Sequence, residues 1–477
     1  GHRHDVPRVP HRRREGDLAP KPRKEPDLAD PRIYAAWRAV QAEKSKFRAM
    51  QKAWELKHAG LFGQAMGRVL TPIADIAREL KASLDFSAVG KQGGFLVAGN
   101  PGAALKALGT MYSVTFSGQK ATLAFRAIEE RANARLYKQA RLFLADPDGD
   151  ILTAKEEDFR ALRWVEKIPG IAMSKRTYVT FLNQLRVEAF DAMLDSMRHT
   201  GVEPTLDDLR AIGHYVNVAT GRGDFGKWAP AADVLAQVFW SPRLQLSRMQ
   251  LLAMTPLVGK HSTKATRKLI AKQYFRSILG IVTATALAKM FDDDDDEIDV
   301  PWHMKPISKQ WSKFQFGNTR MSFDAGLADY VTLAWRVMYG EKMTGTGRRI
   351  ALSGPDKAYN EGIFKEMAMF SRPKLAPGVA SVFNWREGED VTGEKVTPLT
   401  TVRDLLMPLA PEQAAEIIMD ADMPTGVLLT ALAIHGVGAN TYDTSYRDAV
   451  SEYKAGMAAF AKAGSIDARV AVARKYP

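Results

Sequence analysis

The stretch from Val234 to Phe291 contains no Asp or Glu, and Asp292–Asp296, Glu297 and Asp299 follow it at once. Within it stand Arg243, Arg248, Lys260, Lys264, Arg267, Lys268, Lys272, Arg276 and Lys289. Between the last two lies an uncharged run, SILGIVTATALA, Ser277–Ala288. This order of cations, apolar residues and acids limits what the chain can fold into. A helix that crosses a bilayer needs about 20 apolar residues. The uncharged run falls short of that. It approaches it only if Tyr274–Phe291 is counted whole, with Arg276 and Lys289 snorkelling to the interface.

Two readings of the run stay open. In one, it is a buried helix of a bundle, and the aspartates are the solvated loop after it. In the other, it is a membrane-inserting or interfacial segment. Ile278, Leu279, Ile281, Val282 and Leu287 then meet lipid, and the aspartates set how far the segment inserts. Arg243, Arg248, Lys260, Lys264, Arg267, Lys268, Lys272 and Arg276 are the candidate contacts to anionic headgroups or another polyanion. Nucleic-acid phosphate is the competing ligand for the same cations. Phe239, Trp240, Tyr274 and Phe275 then serve either as stacking platforms or as core.

The net charge of +13 agrees with a polyanionic partner of either kind; the alternative is a soluble basic protein with no polyanion partner. The absence of cysteine excludes disulfides, thiolate metal sites and cysteine nucleophiles. The chain contains no GxSxG or HExxH motif, no zinc finger, and no histidine spacing suited to a metal. No catalytic residue, cofactor or metal is expected. KQGG at Lys91–Gly94 lacks the Lys-Ser/Thr that follows the glycines of a phosphate-binding loop, and reads as a structural turn. DPDGDILTAKEE, Asp146–Glu157, places acids at calcium-loop positions but has Ile151 where the sharp turn needs glycine. It reads as an acidic loop between helices.

Residues 1–32 are rich in Pro, Arg and Lys and nearly free of large apolar side chains, which predicts an extended arm. The segment opens GHRHDVPRVPHRRR without an initiating methionine. That reads as a processed product or one piece of a longer polypeptide. His2, His4 and His11 belong to this arm. From there, Ile33, Val40, Phe47, Trp54 and Leu61 recur every seventh residue, with Trp37 and Met50 beside them, as one apolar seam of a long helix.

Further helices are expected over about 119–144, 153–167, 176–200 and 205–219, the last opened by Thr205 and the acids after it. Short irregular or β-like elements are expected around 80–115, 312–324 and 376–400. KFQFGNTRMSFD has the alternation of a hairpin about Gly317-Asn318. The fold class is mainly α: an elongated multi-helix assembly with a few short β-like or hairpin elements. It divides into the arm 1–32, a helical region 33–230, the basic-apolar-acidic segment 231–300, a mixed region 301–400 and a C-terminal helical region 401–477.

Four stretches occur in order: SLDFSAVGKQGGFLVAGNPGAA; VNVATGRGDFGKWAPAADVLAQVFWSPRLQLSRMQ; KFQFGNTRMSFDAGLADYVTLAWRVMYGEKMTGTG; and FSRPKLAPGVASVFN with GEDVTGEKVTPL. This series resembles the C-terminal portion of the very large polyvalent or internal virion proteins of tailed bacteriophages, over roughly residues 30–430. The resemblance implies a non-enzymatic protein stored inside the capsid and used in genome delivery (DNA ejection), within an internal core or a trans-envelope conduit. It implies a homo-oligomer and neighbours among other phage internal, portal or tail proteins. Phage DNA and the host inner membrane are the further partners. The location is then the virion interior, and after ejection the host periplasm or inner membrane. A cysteine-free chain suits an oxidising periplasm. The alternatives are an enzyme fragment (a peptidoglycan hydrolase or host-modifying effector) and a static capsid-core protein.

Overall fold

Helices account for most of the described chain, with a few short antiparallel strands among them. The computed structural model describes residues 87–145, 169–258, 262–290, 301–316, 319–344, 348–354, 362–388, 390, 395–401, 417, 423–441 and 465. The chain divides at Trp54/Glu55 into two units, and every described residue belongs to the second. The basic arm, the heptad seam, the acidic loop at Asp146, the helix expected over 153–167, Lys260 and the run Asp292–Asp299 lie outside the described residues.

The main core gathers around five helices: α1 (Gly94–Gly99), α2 (Pro101–Val114), α5 (Pro169–His199), α6 (Leu206–Ala219) and α9 (Lys264–Lys289). Between them come α3 (Gly118–Glu129), α4 (Ala134–Gln139), α7 (Ala229–Val238) and α8 (Pro242–Leu252). The long helix α5 is the central post. Phe181, Leu182, Leu185, Ala189, Phe190, Met193 and Leu194 bury several sides of it at once. A helix apolar on several faces has to be enclosed by others. Arg186 is buried in the same helix, and its charge is met by fixed partners. Its Nε donates to Thr220 Oγ1 at 2.8 Å, and its other nitrogens donate to the carbonyls of Phe143 and Thr220.

Of the segment expected to be irregular or β-like over 80–115, the described residues from 88 to 114 are mostly helical. A π-helical turn, Ala88–Gln92, leads into α1 and α2. Buried Ala104, Ala107, Met111 and Val114 follow the helical period, and Pro101 starts α2 where its missing N–H costs nothing. The glycines serve close backbone approach. Gly90 N donates to the His435 carbonyl at 2.7 Å, and a Cβ at Gly90 would overlap the backbone of Gly436. Gly436 itself has φ +86°, a conformation that favours glycine.

The single helix expected over 119–144 is broken into α3 and α4. Arg131 donates to Glu188 at 2.7 Å and to Asp191 at 3.1 Å, and Asn133 donates to Asp191 at 2.9 Å. The turn that makes these bonds brings Tyr137 to Asp191 at 2.6 Å and edge-on to Phe190. The helices expected over 176–200 and 205–219 are present as α5 and α6.

Helix α6 starts with a capping box between Thr205 and Asp208. The Asp208 carboxylate also accepts from Thr263 N and Thr266 Oγ1, each at 2.8 Å, so one buried side chain holds the first turns of α6 and α9 together. Burial alone would raise its pKa. The hydrogen bonds from Thr205, Thr263 and Thr266 outweigh that and hold it at about 2. A carboxyl depressed on folding contributes stability above its unfolded pKa, and that contribution is lost as pH falls through the folded value. Asp208→Asn is therefore expected to cost about 1–3 kcal/mol near pH 6. The gap to wild type should close as the pH falls from about 4 toward 2. Urea midpoints of both proteins across that range check it; a constant gap would remove the carboxylate from the account.

Beyond α9, β1 (Phe314–Phe316) and β2 (Thr319–Ser322) form the expected hairpin, with Phe314 opposite Met321. Its two turn residues lie outside the described residues. A third strand, β5 (Gly438–Thr441), pairs antiparallel with β2. Phe314 and Met321 form a second small core with Ile417, Leu429, Ala433 and Ala439. Helix α10 (Ala328–Tyr339) is followed by the strand pair β3 (Glu341–Met343) and β4 (Arg349–Ala351), then α11 (Ile363–Ser371). Within 376–400, expected to hold short irregular or β-like elements, Pro377–Glu387 is helix α12, started by Pro377 and ended at left-handed Gly388. Helix α13 (Met423–Ile434) precedes β5.

Candidate functional site

The cationic and apolar candidates converge on α9. Thr263 caps its start, accepting from Thr266 N. One side of the helix is fixed to the core: Thr266, Leu269, Ile270, Gln273, Tyr274 and Ser277 are buried. The Tyr274 ring lies 5.4 Å from that of Phe95 and 5.5 Å from that of Tyr215. Further along, Ser277 and Gly280 face Gly99 and Ala98 of α1 with no room for a Cβ at either glycine.

The opposite side faces solvent and changes character halfway. Lys264, Arg267, Lys268, Lys272 and Arg276 are exposed on the first half. Among the described residues none of the five has a carboxylate partner; Arg267 Nε donates to Ser262 Oγ at 3.4 Å. The second half exposes Ile278, Leu279, Val282 and Leu287. Phe275, 66% exposed, and Met290, 76% exposed, extend this stripe at both ends. Residues 268, 272, 275, 279, 282, 286 and 290 advance by three or four, the spacing of one helix face.

Three of the sequence candidates are placed elsewhere. Arg248, on α8, is 3% exposed and donates to the Lys91 carbonyl. Burial lowers its pKa to about 10 against the opposing pull of Tyr330, Asp324 and Tyr178. It is a core cation, with no surface to offer a phosphate. Arg243 is half-buried, with its guanidinium over the Phe225 ring and Nη1 donating to the Gly223 carbonyl at 3.4 Å. It holds the GRGDFG loop. Ile281 points inward and packs against the main core. The aromatics separate as well: Tyr274 is core, and Phe275 is surface. Their adjacency on a helix puts them on different sides, which a residue count along the chain does not reveal.

Other polar clusters pair internally among the described residues. Glu188 accepts from Lys106 and Gln184, each at 3.0 Å, as well as from Arg131, so its oxygens are occupied by fixed donors. His214 lies 3.9 Å from Asp224, and burial lowers its pKa more than that carboxylate raises it. Glu366 on α11 is buried against Arg336 of α10, with Lys342 at 3.5 Å. Among the described residues no group of three His, Asp or Glu is arranged to hold a metal ion, and no helix is long and apolar enough to cross a membrane.

No protein-family model, curated protein or solved structure matches the chain.

Proposed function

We propose that this chain is a non-enzymatic internal virion protein of a tailed phage, stored in the capsid and released with the genome as part of an internal core or trans-envelope conduit. One observation supports an assembly role above others: helices across the unit leave large apolar side chains in water. Phe116, in the turn after α2, is 89% exposed, and Phe364 on α11 is 88% exposed. Trp228, Val382 and Val427 are exposed on other elements. Some of these side chains are grouped: Phe364 and Met367 stand one turn apart on α11, and Val382 and Trp385 on α12, and exposed apolar side chains gathered on one face mark contact with a partner. Here the partners are further copies of the chain and other internal, portal or tail proteins. DNA in the capsid and the host inner membrane are the charged surfaces it meets. The resemblance in the four quoted stretches supplies the virion setting.

Quantitative mass spectrometry of full and emptied particles tests this. The chain is expected in full particles and strongly depleted from emptied ones. Retention after ejection would favour a static capsid-core protein. Clearing of peptidoglycan by the purified chain, abolished by a single Glu→Gln change, would favour the enzyme.

A further inference from the structure

We infer that the outer side of α9 lies along an anionic lipid surface as an interfacial helix. The partner follows from the sequence of chemistries on one face. A nucleic-acid backbone would engage Lys268, Lys272 and Arg276 but leave Leu279, Val282 and Met290 in water. A second copy in parallel register would cover the apolar half but set its own cations against the same cations, in a stretch that has no acid from Val234 to Phe291. A lipid surface accommodates both halves, with headgroup phosphates for the cations and the acyl boundary for the apolar side chains.

The geometry supports a helix lying flat. At 1.5 Å per residue, α9 (Lys264–Lys289) is roughly 40 Å long. Its inner side is committed to Phe95, Ala98 and Tyr215, so only the outer stripe is available to lipid while the fold stays intact.

This inference names a surface for the proposed protein to meet, and its test is separate: particle composition examines the virion setting, vesicle binding examines α9. The purified full chain is floated with vesicles of phosphatidylglycerol and phosphatidylcholine, and with phosphatidylcholine alone, at low and high salt. A parallel arm adds double-stranded DNA at equal phosphate concentration. Two variants change only exposed side chains, Leu279→Asp with Val282→Asp, and Lys268→Glu with Lys272→Glu. Leu123→Asp is the control, on an exposed apolar residue of α3. All are first matched to wild type by circular dichroism and thermal unfolding.

Wild type and Leu123→Asp are expected to float with the anionic vesicles at low salt. Each α9 variant is expected to lose at least tenfold in binding, and the charge-reversed one to lose its salt dependence as well. Three results would overturn the inference: wild type left unbound, α9 variants binding as tightly as wild type, or DNA stripping the protein from vesicles completely. Loss of self-association in the α9 variants with vesicle binding unchanged would assign the face to a second copy.

Discussion

Glu366→Ala is expected to destabilise the protein by about 3–5 kcal/mol. Its carboxylate is buried between Arg336, itself almost fully buried, and Lys342. Removing the acid leaves two cations in a site where water cannot replace it. Arg336 Nε still donates to the Ile307 carbonyl at 2.7 Å, which satisfies one donor but does not neutralise the charge. The double variant Glu366→Leu with Arg336→Met should recover part of the loss, because the apolar pair needs no counter-ion while Lys342 keeps its charge beside it. Urea unfolding of wild type, both single variants and the double variant gives the coupling directly. A double variant as unstable as the sum of the singles would show that packing, and not the unpaired charge, carries the cost.

Gly280→Ala and Gly109→Ala are expected to move stability in opposite directions. Glycine inside a helix costs about 1 kcal/mol relative to alanine. Gly109, in α2, has open space where a Cβ would stand, so alanine there should stabilise by about 0.5–1 kcal/mol. At Gly280 a Cβ would overlap the carbonyl oxygen of Ala98 and lie 2.8 Å from its carbonyl carbon. That neighbour is backbone and cannot rotate away. The overlap must separate α9 from α1, with an overpacking cost of about 1–3 kcal/mol that outweighs the helix gain. The net loss should exceed 1 kcal/mol, and amide exchange should quicken in the second half of α9. Equal stabilisation by both substitutions would mean that the two helices do not meet this closely.

Where a segment carries its own local signals, the sequence determined the outcome. Thr205 and Asp208 start α6 because a short polar side chain and an acid three residues on satisfy the free N–H groups of a first turn, whatever lies nearby. Phe314, Phe316 and Met321 produce a hairpin because alternation and the intervening Gly-Asn act within a few residues. The mainly helical class follows from the same kind of information.

Only tertiary structure decided what the glycines before α2 do, because a glycine allows a tight turn and a close contact equally. The contact at Gly90 is made by residues around Gly436, far along the chain. The burial of Arg248 depended likewise on Lys91, Asp324 and Tyr330, none of them local to it. The candidate face on α9 shows the limit most sharply. Ser277–Ala288 carries no charge on any side, so its composition has no inward direction. Packing against Ala98 and Gly99 turns Ile281 toward the core and leaves Leu279 and Val282 outside, because a helix fixed along one line has no freedom left to choose its exposed face.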